Sequence, residues 1–243
     1  MKYFMQRLCG VAALTIFVSL MASAARAAEP ASNPAPLLGV PGQCLLQTDF
    51  ASEPLDPAWK AVRGTWEVKD GALRGQEIPE QKHAAVLRHE LAVHDFIATF
   101  VFRFDGGKAI KLVVNKDHAH IFAVSIWPNE MDVFKQPEKN KTFSQKTGML
   151  DARKLEINTE QWHTATVEVI GKTVVASLDG QLILCGSHEG IDVDKTEVDF
   201  AANAKGAIKS IKFCRASAPA DLEAATQRLQ AARGKTAATQ PSR

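Results

Sequence analysis

From Gln43 to Ala216 the apolar residues recur with a period of two, and turn-forming residues interrupt them about every 8–12 positions. The pattern is strongest where Phe96, Ala98, Phe100, Phe102 and Phe104 alternate with Ile97, Thr99, Val101 and Arg103. Successive side chains on a strand point to opposite faces, so these phenylalanines share one face. Left open to water, so aromatic a face would aggregate; a second layer has to cover it. The chain therefore reads as an all-β sandwich or barrel, and residues 43–216 suffice for one substantial core.

Turn chemistry places several strands. Thr65 to Lys69 runs into Asp70-Gly71 and Ala72 to Gly75 leaves it, and Asp-Gly accepts the positive φ angles of a tight hairpin. Ile110 to Asn115 and His120 to Trp127 flank Lys116-Asp117-His118-Ala119, and Pro128-Asn129-Glu130 leads into Met131 to Lys135. Gln136 to Thr147 reads as a polar loop. Trp162 to Ile170 and Thr173 to Leu178 flank Gly171-Lys172, and Asp179-Gly180 leads into Gln181 to Cys185. Val198, Phe200 and Ala202 alternate in a later strand, and Ala207 to Cys214 closes the body. After Pro219, residues 221–233 are rich in helix formers, with Leu222, Ala225, Leu229 and Ala232 on one side. This predicts a short helix within residues 217–243, docked on its own body in preference to a partner, and then a tail.

The N-terminal end has a different character. Lys2 and Arg7 precede an apolar run from Leu8 to Leu20, and Ala25-Arg26-Ala27 has the A-x-A form of a cleavage site. The run is shorter than the ~20 residues that span a bilayer. Residues 1–27 thus read as a cleaved signal, an uncleaved anchor being the alternative, and the mature protein is expected to be periplasmic or secreted with no stable membrane span. Residues 28–42, with Pro30, Pro34, Pro36 and Pro41, read as a linker. Removing Lys2, Arg7 and Arg26 takes the 29 basic residues to 26 against 27 acidic ones. A chain so balanced has no electrostatic claim on nucleic acid.

Cys44, Cys185 and Cys214 remain after cleavage, without the spacing of a zinc site. Cys44 and Cys214 fall in the first and last strands, which often run side by side in a sandwich. They are the preferred disulfide pair, three buried thiols being the alternative. No phosphate loop, nucleophile elbow or Cys/His pair is visible. His118 and His120, with His83, His89 and His94 upstream, name no third metal ligand. No metal and no cofactor are expected.

Phe50, Trp59 and the stretch Gly64-x-Trp66-x-Val68-x-Asp70-Gly71-x-Leu73-x-Gly75, then Asp95-Phe96, Trp162-His163-Thr164-x-x-Val167-Glu168-Val169-x-Gly171, Leu178-Asp179-Gly180 and Ile208 to Phe213, together resemble the 3-keto-disaccharide hydrolase family across about residues 45–215. The resemblance implies a concanavalin-like, laminin-G-like jelly-roll β-sandwich with a short C-terminal helix, and an activity on glycans. A smaller likeness lies in Glu130-Met131-Asp132-Val133-Phe134, which is similar to the start of the glucanase catalytic strand. Retaining hydrolysis needs two carboxyl groups about 5 Å apart, and the positions for the second hold Lys135 and Gln136.

With the Phe100 set inward, the same parity turns Arg103, Lys111, Asn115, Trp127 and Glu168 outward. Taken as one open face, Arg103, Lys111, Asn115 and Trp127 offer the mixture that binds sugars: an aromatic ring for the apolar pyranose face and polar groups for its hydroxyls. Glu168 and Glu77 are the candidate proton-transfer groups, for protonating a glycosidic oxygen or for removing a proton next to a keto group. The expectation is an exported glycan-acting jelly-roll protein, cleaving glycosidic bonds if catalytic. The alternative is a non-catalytic carbohydrate-binding or adhesion module.

Overall fold

The computed structural model describes residues 35–51, 54–137 and 148–239, with side chains up to residue 234. The expected signal, the first part of the linker (28–34), most of the 136–147 loop and the last residues lie outside that range. Fifteen strands are described in chain order: β1 (Val40–Thr48), β2 (Trp59–Arg63), β3 (Thr65–Lys69), β4 (Ala72–Gln76), β5 (Ala85–Val93), β6 (Phe96–Arg103), β7 (Ala109–Lys116), β8 (Ala119–Trp127), β9 (Glu130–Lys135), β10 (Met149–Lys154), β11 (His163–Ile170), β12 (Thr173–Leu178), β13 (Leu182–Ser187), β14 (Lys195–Asn203) and β15 (Lys205–Ser217). A helix, α1 (Leu222–Thr239), follows.

The strands form the two antiparallel sheets of a jelly-roll sandwich. The back sheet runs β13-β12-β11-β6-β15-β4-β3, with β1 added beside β15; the front sheet runs β10-β9-β8-β7-β14-β5-β2. Their inner faces hold the alternating apolar sets. Phe96, Phe100, Phe102, Ile110, Leu112, Val114, Phe122, Val124, Ile126, Ala165, Val167 and Val169 are all at most 1% exposed in one core cluster. Phe200 of the front sheet meets Phe100 of the back sheet edge-on at 5.2 Å between ring centroids. Burying such a ring stabilises by roughly 1.5–3 kcal/mol, so strand parity is held firmly.

Two backbone devices position the rest. Asp70 and Gly71 both take positive φ (54° and 67°), making the β3–β4 hairpin as expected. The crossover from β6 in the back sheet to β7 in the front sheet passes Gly107, where a Cβ would stand 1.7 Å from the Lys205 carbonyl oxygen. Only glycine lets the two segments approach so closely.

The ends of the chain differ from the sequence boundaries. β1 starts at Val40, inside the expected 28–42 linker, because Pro41 sits on a strand paired only on one side, where a missing N–H costs no ladder bond. Cys44 and Cys214 are cross-strand partners joined by a disulfide, and Cys185 is a free thiol. Helix α1 is longer than 221–233 and is capped by Asp221, whose Oδ1 accepts from Ala224 N at 2.8 Å. Ala225 and Leu229 are buried in a small cluster with Leu38, Val175 and Ile183, so α1 docks on its own body.

Candidate functional site in the front-sheet cleft

The outer face of the front sheet carries a cleft of about 770 Å³. Its floor follows from register. One row across the sheet reads Val86, Ala201, Lys111, Ser125 and Asp132; the next reads Arg88, Asp199, Val113, Ala123 and Phe134. Small apolar side chains thus occupy the middle, with polar groups to either side.

At one side Lys111, Trp127, Ser125 and Asp132 form a cluster. The Lys111 ammonium lies 4.8 Å from the centroid of the Trp127 ring, and Trp127 Nε1 donates to Asp132 Oδ2 at 3.1 Å. Burial pushes the Asp132 carboxyl up from the ordinary range, against the hydrogen bonds from Trp127 and Ser125 and the charge of Lys111. Burial likewise lowers Lys111, with Asp132 opposing. Both groups are desolvated and each feels the other's charge, the kind of environment that tunes groups for proton transfer.

Across the floor a polar chain is built from four strands. Arg88 grips Asp199 through Nε–Oδ1 at 2.7 Å and Nη2–Oδ2 at 2.8 Å, and its charged state is favoured by that hydrogen-bonded pair. Asn115 Nδ2 donates to Asp199 Oδ2 at 2.8 Å, and His120 Nδ1 lies 2.6 Å from Asn115 Oδ1. Beside them Glu197 meets Arg88 at 3.1 Å and His118 at 2.6 Å. His118 is held there by the two-residue turn Asp117-His118, both at positive φ. Among the described residues no three His, Cys, Asp or Glu side chains are grouped as a metal site requires.

The expected site residues separate. Lys111 and Trp127 line the cleft, and Asn115 is fully buried beneath it. Arg103 and Glu168 belong to the back sheet, whose outer face points the other way. Arg103 Nε donates to Asp105, and its guanidinium stacks over Trp162 at 4.8 Å. Glu168 is 2% exposed and accepts three backbone N–H bonds: Leu37 to Oε1 at 2.7 Å, Leu38 and Gly39 to Oε2 at 2.9 and 2.8 Å. It is a structural carboxylate, with both oxygens occupied. Glu77 follows β4, donates its N–H to the Ala204 carbonyl, and is not among the cleft residues. Glu168 therefore lies on the other face of the sandwich, and Glu77 does not line the cleft. Parity correctly assigned inside and outside, but two different outsides were merged into one.

Asp132, Arg88, Asp199 and His120 are the residues that sequence reasoning left out of the site. For Asp199 a signal existed: with Val198, Phe200 and Ala202 alternating on β14, one of the two sides of that strand had to carry Glu197, Asp199 and Ala201. Arg88 lies on β5, a strand that the turn signals did not delimit. Lys135, at the place where the glucanase-like strand would need its second carboxylate, donates its Nζ to the Gln136 carbonyl at 2.7 Å.

The model of the 3-keto-alpha-glucoside-1,2-lyase-like domain family matches residues 51–209, which includes every cleft strand. The chain belongs to this family. No curated protein sequence matches the chain. Among solved structures, the family member is similar to an apo Crh5 transglycosylase (13% identity, TM-score 0.55, covering 75% of this chain and 89% of that one). It is also similar to a Bacillus subtilis protein with a galectin-like fold (12%, 0.55, 74% and 100%) and to the laminarinase from Rhodothermus marinus (12%, 0.53, 73% and 99%). At such identities these likenesses show a shared jelly-roll fold.

Proposed function

We propose that this protein acts on a glycan bound in the front-sheet cleft, and that it cleaves 3-keto-glycosides by elimination across C1 and C2. The observation that carries this reading is the Lys111–Trp127–Asp132 cluster on the floor of the cleft, within the segment that the lyase-like family model matches. Trp127 supplies an aromatic surface for a sugar ring. Lys111 is suited to hydrogen-bond the C3 keto oxygen, where negative charge grows as the C2 proton leaves. Asp132, with its raised pKa, is suited to protonate the departing C1 oxygen. The transferases and hydrolases among the structural neighbours add that this fold accommodates carbohydrate chemistry in their own cases.

Elimination also removes a difficulty. It needs no pair of carboxylates 5 Å apart, which Lys135 and Gln136 do not provide. Mixing the purified protein with a 3-keto-α-disaccharide and following release of the reducing sugar, together with ultraviolet absorbance of the unsaturated ketone, tests the reading. Both signals are expected. Binding of the disaccharide without either signal would leave a non-catalytic carbohydrate-binding module.

We also infer export to the periplasm or beyond. The support is the Lys2-to-Ala27 leader pattern and the Cys44–Cys214 disulfide, a bond that persists in oxidising compartments. N-terminal sequencing of the protein from cell fractions should give a start at Ala28; an intact Met1 in the cytosolic fraction would refute it.

A further inference from the structure

The cleft holds a second built element that the Lys111–Asp132 cluster does not use. Arg88 and Asp199 are joined by two hydrogen bonds, and Asp199 is 2% exposed. A carboxylate so paired only accepts, so the Asn115 group 2.8 Å from it must be the amide NH2. That fixes the flip of a fully buried side chain and presents its oxygen to His120. An amide oxygen cannot donate. His120 Nδ1 must therefore carry the hydrogen, and in the neutral ring the lone pair is left on Nε2, on a side chain that lines the cleft. A single chain of groups, from the half-buried Arg88 through the buried Asp199 and Asn115, selects one tautomer of one exposed imidazole.

Resting on the lyase reading above, we propose that His120 is the base that takes the C2 proton of the 3-keto sugar, and that Asn115, Asp199 and Arg88 are positioning residues that hold its Nε2 ready. The C2–H electron pair first moves into the C2–C3 enolate, with the charge on the C3 oxygen, and then forms the C1=C2 bond as the C1–O bond breaks. The C2 proton goes to His120 Nε2, and the departing oxygen takes a proton that the Asp132 carboxyl delivers through water in the cleft, because Asp132 lies two rows along the sheet from His120. The products are a 1,2-unsaturated 3-keto sugar and a free alcohol, and water returns a proton from His120 to Asp132.

The electrostatics agree with this division. Packing beneath the ring lowers His120 from its ordinary range; Asp199 on β14 opposes, Arg88 on β5 and His83 on the segment before it add to the lowering, and Glu197 opposes. His118, in the turn of the same hairpin, is paired with Glu197. At neutral pH the ring is uncharged and can accept. Asp132 is displaced the opposite way, and groups pushed apart toward neutrality are how one site supplies both an acid and a base. Val113 and Ala123 line the floor in the row between the two groups.

The test separates proton removal from bond cleavage. A 3-keto sugar lacking a C1 leaving group is incubated with the protein in D2O, and deuterium at C2 is followed by NMR; a 3-keto-α-disaccharide reports cleavage. Wild type should exchange and cleave. His120→Gln should lose exchange and cleavage by about 10²–10⁴-fold, whereas Asp132→Asn should keep exchange and lose cleavage. Asn115→Leu should slow both and displace the acidic limb of the kcat–pH profile. The 15N shifts of His120 should report the Nδ1–H tautomer in wild type and a mixture in Asn115→Leu, a readout independent of turnover. A folded His120→Gln with unchanged exchange overturns this proposal alone, as does a wild-type ring in the Nε2–H tautomer. Wild type that neither exchanges nor cleaves overturns the lyase reading itself.

Discussion

The two outer faces of this sandwich have the same origin in strand parity and opposite fates. The back sheet turns Ile97, Val175, Ile183 and Glu168 outward, and the chain's own ends cover them: Leu37 to Gly39 on the Glu168 carboxylate, and α1 through Ala225 and Leu229. The front sheet turns Lys111, Ser125, Trp127, Asp132 and Asp199 outward, and a cleft stays open above them. Both faces contain a buried carboxylate. Glu168 accepts three backbone N–H bonds and ties residues 37–39 to the back sheet, whereas Asp132 keeps a raised pKa beside an ammonium. A buried acid is therefore read by its partners rather than by its burial.

Exchanging the two carboxylates for amides gives the sharpest contrast. Asp132→Asn should lower kcat on a 3-keto-disaccharide by about 10²–10⁴-fold with little change in melting temperature. Glu168→Gln should do the reverse, costing about 2–3 kcal/mol in a denaturant titration because an amide NH2 then faces backbone donors. If Glu168→Gln abolished turnover in the folded protein, the division between the faces would fail. Next, Leu229→Ala should destabilise by about 2–3 kcal/mol yet leave glycan affinity measured by calorimetry unchanged, since the apolar side of α1 packs on the back sheet and the helix reaches the front sheet only at its edge, where Arg233 pairs with Asp151 of β10.

Trp127→Ala should weaken disaccharide binding by about 1 kcal/mol, roughly five- to tenfold. Unchanged affinity would remove Trp127 from the site. The smallest effect concerns His163, on the back sheet. Burial opposes its charge, but the hydrogen bonds to Asp179 at 2.7 Å and to the Asn158 carbonyl at 2.8 Å outweigh it and raise its pKa. A raised folded-state pKa contributes stability that is complete below the unfolded value of about 6.5 and is lost as pH climbs through the folded one. Wild type should thus lose stability relative to His163→Gln on going above about pH 6.5, in paired thermal melts. A constant difference between the two would refute the charged ring.

Much of the architecture was legible in the residues. The two-residue period from Phe96 to Phe104 demanded a second layer, Asp70-Gly71 fixed a hairpin, and the run of helix formers after Pro219 with the Ala225 and Leu229 stripe located the helix. Parity even predicted which side chains of β6, β7, β8 and β11 would face the core between the sheets. The weak points were strands without sharp turn chemistry, above all β5, which carries Arg88.

The sequence by itself determined the sandwich, its family and the inward or outward sense of β6, β7, β8 and β11, because those depend on local periodicity and turn geometry. Which outward residues share a face was decided only by tertiary structure. That depends on pairing between strands far apart in the chain, as β14 lies between β7 and β5, and on the crossover at Gly107 that sends β7 to the opposite sheet. The same long-range pairing moved Arg103 and Glu168 away from Lys111 and Trp127, and brought Asp199, Asn115 and His120 together under one cleft.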